Sequence, residues 1–361
     1  MKLTRPIKII DWYIIRKFLG TYVFAIILIL AITIMFDINE KLDAFMKAPL
    51  KATIFDYFLN FLPYFANQFS PLFTFIAVIF FTSKLADNSE IIAILSAGVS
   101  YHRLLRPYMI SAAVIAAATY VLSAYIIPPA NIKRIDYTNT YVKNKRVDYG
   151  SNIMLQVDKG EIAYMSRFDN TTKTGIKFSL EKFDDKKLVS RLTAQTIKWD
   201  TLYQWRVQNY MIRDFKDDRE YITSGYSLDT IIPFEPRDFL ISKNDHETLT
   251  SPQLREYIKR QKDRGVANIK SFEIENERRY AMCAAAFILT VIGMSLSSRK
   301  VKGGMGINIG IGLVLSFSYI LFTTVTSTFA ISGQTSPMVA MWIPNFVYMI
   351  IAVVLYRKAA R

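Results

Sequence analysis

Six apolar stretches, Phe18 to Phe36, Phe55 to Thr82, Pro107 to Ile127, Tyr280 to Leu296, Gly306 to Ala330 and Val339 to Tyr356, stand three on each side of one long polar insert. About 20 apolar residues in a helix cross the ~30 Å hydrocarbon layer of a bilayer, so each stretch reads as a transmembrane helix. Away from its ends, none carries Asp, Glu, Lys or Arg. Ionisable groups inside a membrane are the usual mark of a proton or ion pathway. Their absence argues against transport driven through these helices, and any work done by the chain draws its energy from elsewhere.

In a chain of 361 residues, 52% hydrophobic and 14% aromatic, a formal charge of +15 needs a location. Lys2, Arg5, Lys8, Arg16 and Lys17 precede the first span; Lys84, Arg103 and Arg106 lie between the second and third; Arg299, Lys300 and Lys302 separate the fourth and fifth; Arg357, Lys358 and Arg361 end the chain. These are alternate loops, so the positive-inside rule puts both termini in the cytoplasm and the insert outside. The charge decorates membrane boundaries and forms no one-sided basic face, which excludes nucleic acid as its partner. The first span is too long for a removable signal peptide and lacks a small-residue cleavage site. The single cysteine, Cys283, opens the fourth span, so the insert must be held by its own core without disulfides.

From Asn152 to Thr230 the apolar period becomes alternating. Ile162 to Phe168, Gly175 to Phe183, Leu192 to Trp199 and Trp205 to Phe215 read as strands, punctuated by turns at Asp169-Asn170, Asp184-Asp185 and Asp200-Thr201. Repeated strands with short turns fit a sandwich, a barrel or a jelly roll. Ser251-Pro252 then reads as a cap and first helical position, with Leu254, Tyr257 and Ile258 on one face and Gly265 as the stop. The run from Asn268 to Arg279 leads into the fourth span.

Little here supports catalysis. His246 and His102 are the only histidines, which excludes a histidine-rich metal site. No G-x-x-x-x-G-K-[ST] occurs, so the chain is not itself a P-loop ATPase. Asp184-Asp185 and Asp217-Asp218 sit at turn-like positions, where carboxylates are solvated. Hydroxyls crowd the fifth span at Ser316, Ser318, Thr323, Thr324, Thr326, Ser327 and Thr328; a polar pathway is one reading, and helix packing with backbone hydrogen bonding is the commoner one. Gly306-x3-Gly310, with Gly312 following, permits close helix contact.

The second span carries two faces. Asn60, Pro63, Asn67, Pro71 and Thr74 share one stripe at 100° per residue, and Phe58, Phe61, Phe65 and Phe69 another. This fits either a kinked packing helix or the wall of a cavity for an amphiphile. Lys41 and Lys47, near the external end of the first span, would supply cations for an anionic head while acyl chains lie against Phe65 and Phe69. Between the second and third spans, residues 87–98 predict a short cytoplasmic helix. Asp87 and Glu90 form a capping-box pattern, Ile91, Ile94 and Leu95 an apolar side, and Gly98 a stop. It reads either as an interfacial turn or as a coupling helix docking into a motor.

These segments resemble the LptF/LptG permease family of lipopolysaccharide exporters over nearly the whole chain. The carriers are IDWYIIRKFL (Ile10 to Leu19), Pro63-x7-Pro71, NSEIIAILSAGVS (Asn88 to Ser100), ERRYAM (Glu277 to Met282) and WIPNFVYMIIAVVLYRK (Trp342 to Lys358). The isoleucine-aspartate opening is more similar to LptG. The resemblance implies an inner-membrane bundle of six transmembrane helices with an inserted all-β, jelly-roll-like periplasmic domain. It further implies a second LptF/LptG-type permease, an LptB-type ATPase dimer and an LptC-type periplasmic bridge protein that receives lipopolysaccharide. The first and fifth spans would form lateral gates, and Glu90 would match the acidic residue of the coupling helix, with Ile91 and Leu95 as its apolar contacts. A lysine frequent in the family at the external end of the first span is replaced here by Asp37.

The expected layout is therefore residues 1–127 for the N-terminus, three spans and the coupling helix, 128–250 for the periplasmic β-domain, 251–279 for a helical linker, and 280–361 for three further spans. No catalytic residue, metal or cofactor is expected. The competing functions are a mechanotransmission or scaffold subunit whose external domain binds protein, and a membrane-bound enzyme acting on envelope lipid.

Overall fold

The computed structural model describes residues 8–142, 149–169, 171–185, 187–216, 219–236, 245–263, 269–299 and 304–360. Asn170, Asp217, Asp218 and Gly265 lie outside the described residues. Two compact units divide the chain: Met1–Val142 with Glu247–Pro252 and Lys270–Arg361, and Lys143–His246 with Gln253–Ile269.

The first unit is helical: α1 (Ile9–Glu40), α2 (Leu42–Lys47), a single turn α3 (Leu50–Ala52), α4 (Leu59–Gln68), α5 (Ser70–Asp87), α6 (Glu90–Ser96), α7 (Tyr101–Val121) and α8 (Ile127–Tyr137) precede the insert. After the insert come α10 (Lys270–Ser297), α11 (Gly304–Ile331) and α12 (Pro337–Ala360), preceded in the chain by α9 (Ser251–Asp263), which from Gln253 on belongs to the second unit. Six of the described helical segments are long and apolar enough to cross a membrane. At 1.5 Å per residue the 32 residues of α1 reach about 48 Å, well beyond one hydrocarbon layer.

The second span is not one continuous helix. A π-helical segment, Thr53–Phe58, enters it, and the helix breaks at Phe69 (φ −98°, ψ 12°) between α4 and α5. Pro71 explains the break, because it offers no N–H and its ring would clash with the carbonyl of Asn67. Beyond the break α5 is the best-buried span and packs against α1, α10 and α11. Rings of three helices meet on its inner half: Phe81 stacks on Phe18 of α1 at 5.2 Å and on Tyr108 of α7 at 5.2 Å. In α12, Pro344 frees the carbonyl of Ala340, and the adjacent Asn345 crosslinks two neighbours, donating to Ala281 O at 2.9 Å and accepting from Tyr319 at 2.9 Å.

Glycines set the helix approach, but not those of the expected pair. A Cβ on Gly306 or Gly310 would meet nothing within 4 Å, whereas one on Gly312 would collide with Ile79. Gly293 is tighter in a way that matters more, since its Cβ would lie 2.8 Å from Val78 Cγ1 and 3.1 Å from Val78 Cβ, a branched atom that cannot swing away. Gly293→Leu should part α10 from α5 and cost about 1–3 kcal/mol. Gly20→Leu, with nothing within 4 Å, should not. Thermal unfolding of both variants in detergent checks this; equal midpoints would refute it.

The second unit is built on one six-stranded antiparallel sheet: β1 (Tyr149–Asp158), β2 (Glu161–Asp169), β3 (Thr174–Asp184), β4 (Lys187–Thr201), β5 (Gln204–Lys216) and β6 (Arg219–Ile231), in that spatial order. Each strand pairs with its chain neighbour, so the described strands form an up-and-down meander, with no separate second layer among them. One face supplies a core around Met165, Phe168, Phe178, Ile197 and Trp205, closed by Ile232 and Phe234. Turn chemistry follows the sequence. Gly160 (φ 80°) has Phe183 O 2.6 Å from where a Cβ would stand, and Asp185 (φ 53°) turns β3 into β4. The β4–β5 turn lies at Leu202 (φ 46°), just past the expected Asp200-Thr201. Edge strand β6 exposes Tyr221, Ile222, Tyr226 and Ile231.

Candidate functional site

Alternation of the spans places Lys41, α4, α8 and the start of α10 at the end of the bundle where the insert leaves. Lys41 there is not a bare cation. Its Nζ is ion-paired with Asp37 one turn earlier, donates to Tyr57 OH at 2.6 Å, and lies over the rings of Tyr57 (5.1 Å) and Phe61 (5.9 Å). Tyr57 in turn donates to Asp37 Oδ1 at 3.1 Å. Asp37 therefore neutralises the cation expected to meet an anionic headgroup, and Lys41 remains about one-fifth exposed. Lys47, at the end of α2, is exposed.

The aromatic face forms a continuous ladder. Tyr57 stacks on Phe61 at 5.6 Å, Phe61 meets Phe65 at 5.7 Å, and Phe65 meets Phe69 at 4.5 Å. Phe65 and Phe69 are half-buried members of it. Phe58 turns instead toward Phe45 and Tyr57. The opposite stripe is polar and buried at Asn67, whose Oδ1 has no partner.

Beside the ladder lies an ionic network with no sequence forewarning. Arg134 of α8 stacks over Tyr64 at 4.2 Å and pairs with Glu247 at 3.3 Å; Tyr64 donates to Glu247 Oε1 at 3.2 Å. Arg279, 2% exposed, gives Nε to Glu275 Oε1 at 3.0 Å and its terminal nitrogens to Ser251 Oγ at 2.8 Å and Leu249 O at 2.9 Å. Arg278 pairs with the other Glu275 oxygen at 2.6 Å. A cavity of about 30 Å³ sits among these groups, room for a water or two. The ERRYAM segment thus anchors the returning chain, residues 247–252, to the helices.

On the membrane-facing side, α1 and α11 each pack on α5 and leave long apolar faces uncovered. Val23, Phe24, Ile27, Leu28, Ile32, Met35 and Phe36 are exposed on α1, and Val314, Phe317, Leu321, Val325 and Phe329 on α11. The hydroxyls of α11 mostly bond their own helix: Thr323 donates to Tyr319 O at 2.9 Å, Thr324 to Ile320 O at 2.9 Å and Thr328 to Thr324 O at 3.0 Å. That is the packing alternative of the two open readings.

At the opposite end, α6 starts at Glu90, not at Asp87. Asp87 closes α5, and Ser89 (φ 59°) turns the chain between the two helices, so the Asp87–Glu90 capping box does not form. Glu90 instead accepts from Tyr13 OH of α1 at 2.9 Å and from Asn88 Nδ2 at 3.2 Å. Gly98 (φ 84°) does end the helix. Ile91, expected on the docking face, is buried in the core with Ile14, Phe18, Leu85 and Leu104 and adds nothing to the exposed face of α6. The apolar surface α6 offers outward is Ile92 and Leu95, 54% and 36% exposed; Ile92 was not singled out by periodicity. A bidentate clamp fixes the base on which α6 sits: Arg103 donates to the two oxygens of Asp11 at 2.7 and 2.6 Å.

No group of three or more His, Cys, Asp or Glu side chains placed to hold a metal occurs among the described residues. A model of the family described as lipopolysaccharide export system permease LptF/LptG matches residues 12–358. No match was found among curated proteins.

Proposed function

The chain belongs to the LptF/LptG lipopolysaccharide export permease family, and we propose that it extracts lipopolysaccharide from the outer leaflet of the inner membrane using a partner's ATP hydrolysis. The observation that carries this reading is the pair of uncovered apolar faces on α1 and α11 with α5 between them. A second LptF/LptG-type permease bringing equivalent faces would enclose an acyl-chain cavity. The open Gly306-x3-Gly310 stripe of α11 suits close approach by that partner.

In this reading both termini are cytoplasmic and the β unit is periplasmic, because positive charge gathers on alternate short loops. Lipid chains lie along the Phe61, Phe65 and Phe69 ladder. Lys47, free of the Asp37 pairing that holds Lys41, is the better phosphate contact. An LptB-type ATPase dimer engages α6 through Glu90, Ile92 and Leu95. The edge of β6, lined by exposed Tyr221, Ile222 and Tyr226, accepts a strand of an LptC-type bridge protein.

Photocrosslinkers at Lys41, Lys47 and Phe69, introduced one at a time into the assembled exporter, should capture lipopolysaccharide during turnover. Capture only by probes in α11 would move the entry wall to that helix. Absence of capture from these three positions and from α11 alike would refute extraction through this face and favour a scaffold role.

A further inference from the structure

A second apolar cleft lies at the basic end of the bundle, away from the aromatic ladder. Its floor is α10, through Phe287 and Val291, and its walls are Leu105 and Met109 of α7 and Met349 and Val353 of α12. It is an open groove with a volume of about 410 Å³. A further hollow of about 340 Å³ continues along α7 past Arg106. α7 and α12 both pack on α10 and approach each other through Tyr356, whose hydroxyl lies 3.2 Å from His102 Nδ1 and whose ring meets Tyr101 at 5.6 Å.

The rim is cationic and unneutralised. Arg357 of α12 borders the cleft, and Arg106 of α7 borders the adjoining hollow, which shares His102, Leu105 and Met109 with it; both are exposed, and neither guanidinium has a carboxylate partner among the described residues. The acid at this end of α1, Asp11, is held by both nitrogens of Arg103. Arg299 is turned to the end of α12, donating to Lys358 O at 3.1 Å.

An apolar groove on membrane-spanning helices, with one exposed guanidinium at its mouth and a second on the adjoining hollow, matches one amphiphile: acyl chain along the groove, phosphate at the interface. We infer that this cleft binds an anionic diacyl phospholipid of the leaflet bordering the basic loops, with its phosphate between Arg106 and Arg357, so that the lipid ties α7 to α12. The exported lipid is not the occupant, because the ladder and Lys47 stand at the other end of the same ~30 Å spans. Only this exclusion of the exported lipid rests on the proposed extraction site; the preference for an anionic phospholipid does not, and competition with lipopolysaccharide tests the exclusion separately.

The test is native mass spectrometry of the full chain with its co-purifying partners, titrated with dioleoyl phosphatidylglycerol or dioleoyl phosphatidylcholine. Phosphatidylglycerol should form the first adduct roughly tenfold more readily, since each basic residue at the interface contributes severalfold. Arg106→Gln with Arg357→Gln should erase the preference and leave the phosphatidylcholine adduct unchanged. Val353→Trp, at a side chain 46% exposed and lining the cleft, should fill the slot and reduce both. Equal adducts in the unmodified chain, a preference surviving the double variant, or displacement of phosphatidylglycerol by lipopolysaccharide would each overturn the assignment.

Discussion

Replacing Arg279 by methionine should destabilise the helical unit by about 3–5 kcal/mol, the range for removing one member of a buried ion pair. The side chain is 2% exposed and makes three polar contacts, one to Glu275 and two to the returning chain at Leu249 and Ser251. Without it, Glu275 loses one of its two arginine partners, and the Leu249 carbonyl and Ser251 hydroxyl each lose the hydrogen bond from Arg279. A buried polar group left unmatched costs more than the bond was worth. Two measurements separate this from simple loss of packing. Glu275→Gln combined with Arg279→Met should recover part of the loss, because it removes the orphaned charge. Limited proteolysis should also open residues 247–252 in the single variant before the helices unfold. If Arg279→Met melted within about 1 kcal/mol of the unmodified chain, the network would be ornamental.

The sequence showed the spans clearly because length and absence of charge are one-dimensional properties. Strands β2 to β5 were legible for a similar reason: one face buries Met165, Phe178, Ala194 and Val207 while the other meets solvent. Strand β6 escaped because it is exposed along almost its whole length, so selection for burial leaves no alternation to read. The candidate site was harder. Arg103 and Asp11 are 92 residues apart, and each looked like boundary charge until the fold joined them. Whether Ile91 or Ile92 faces outward depends on the left-handed turn at Ser89, which residue spacing alone does not reveal. Asp37 was visible as a departure from the family pattern. That it cancels Lys41 required the i,i+4 geometry of α1 and the hydroxyl of Tyr57.

Glu90→Gln should leave folding and insertion intact while reducing lipopolysaccharide release in proteoliposomes at least tenfold, through weakened ATPase docking or lost coupling. With no capping box to serve, Glu90 has two remaining roles. One is structural: it accepts from Tyr13 and so braces α6 against α1. The other, which we propose, is to present a carboxylate to a basic groove on the motor beside the exposed Ile92 and Leu95. Glutamine retains an oxygen for Tyr13 and forfeits the charge, including a helix-dipole contribution of about 0.3–1 kcal/mol. Tyr13→Phe does the reverse, breaking a hydrogen bond worth about 0.5–1.5 kcal/mol and sparing the carboxylate. Coupling through charge therefore predicts a large defect in Glu90→Gln and a small one in Tyr13→Phe, whereas a brace predicts the opposite order. Normal release by Glu90→Gln would assign the residue to the brace. Docking would then rest on the apolar pair, and Ile92→Asp, at a side chain 54% exposed, becomes the variant that must abolish ATPase association.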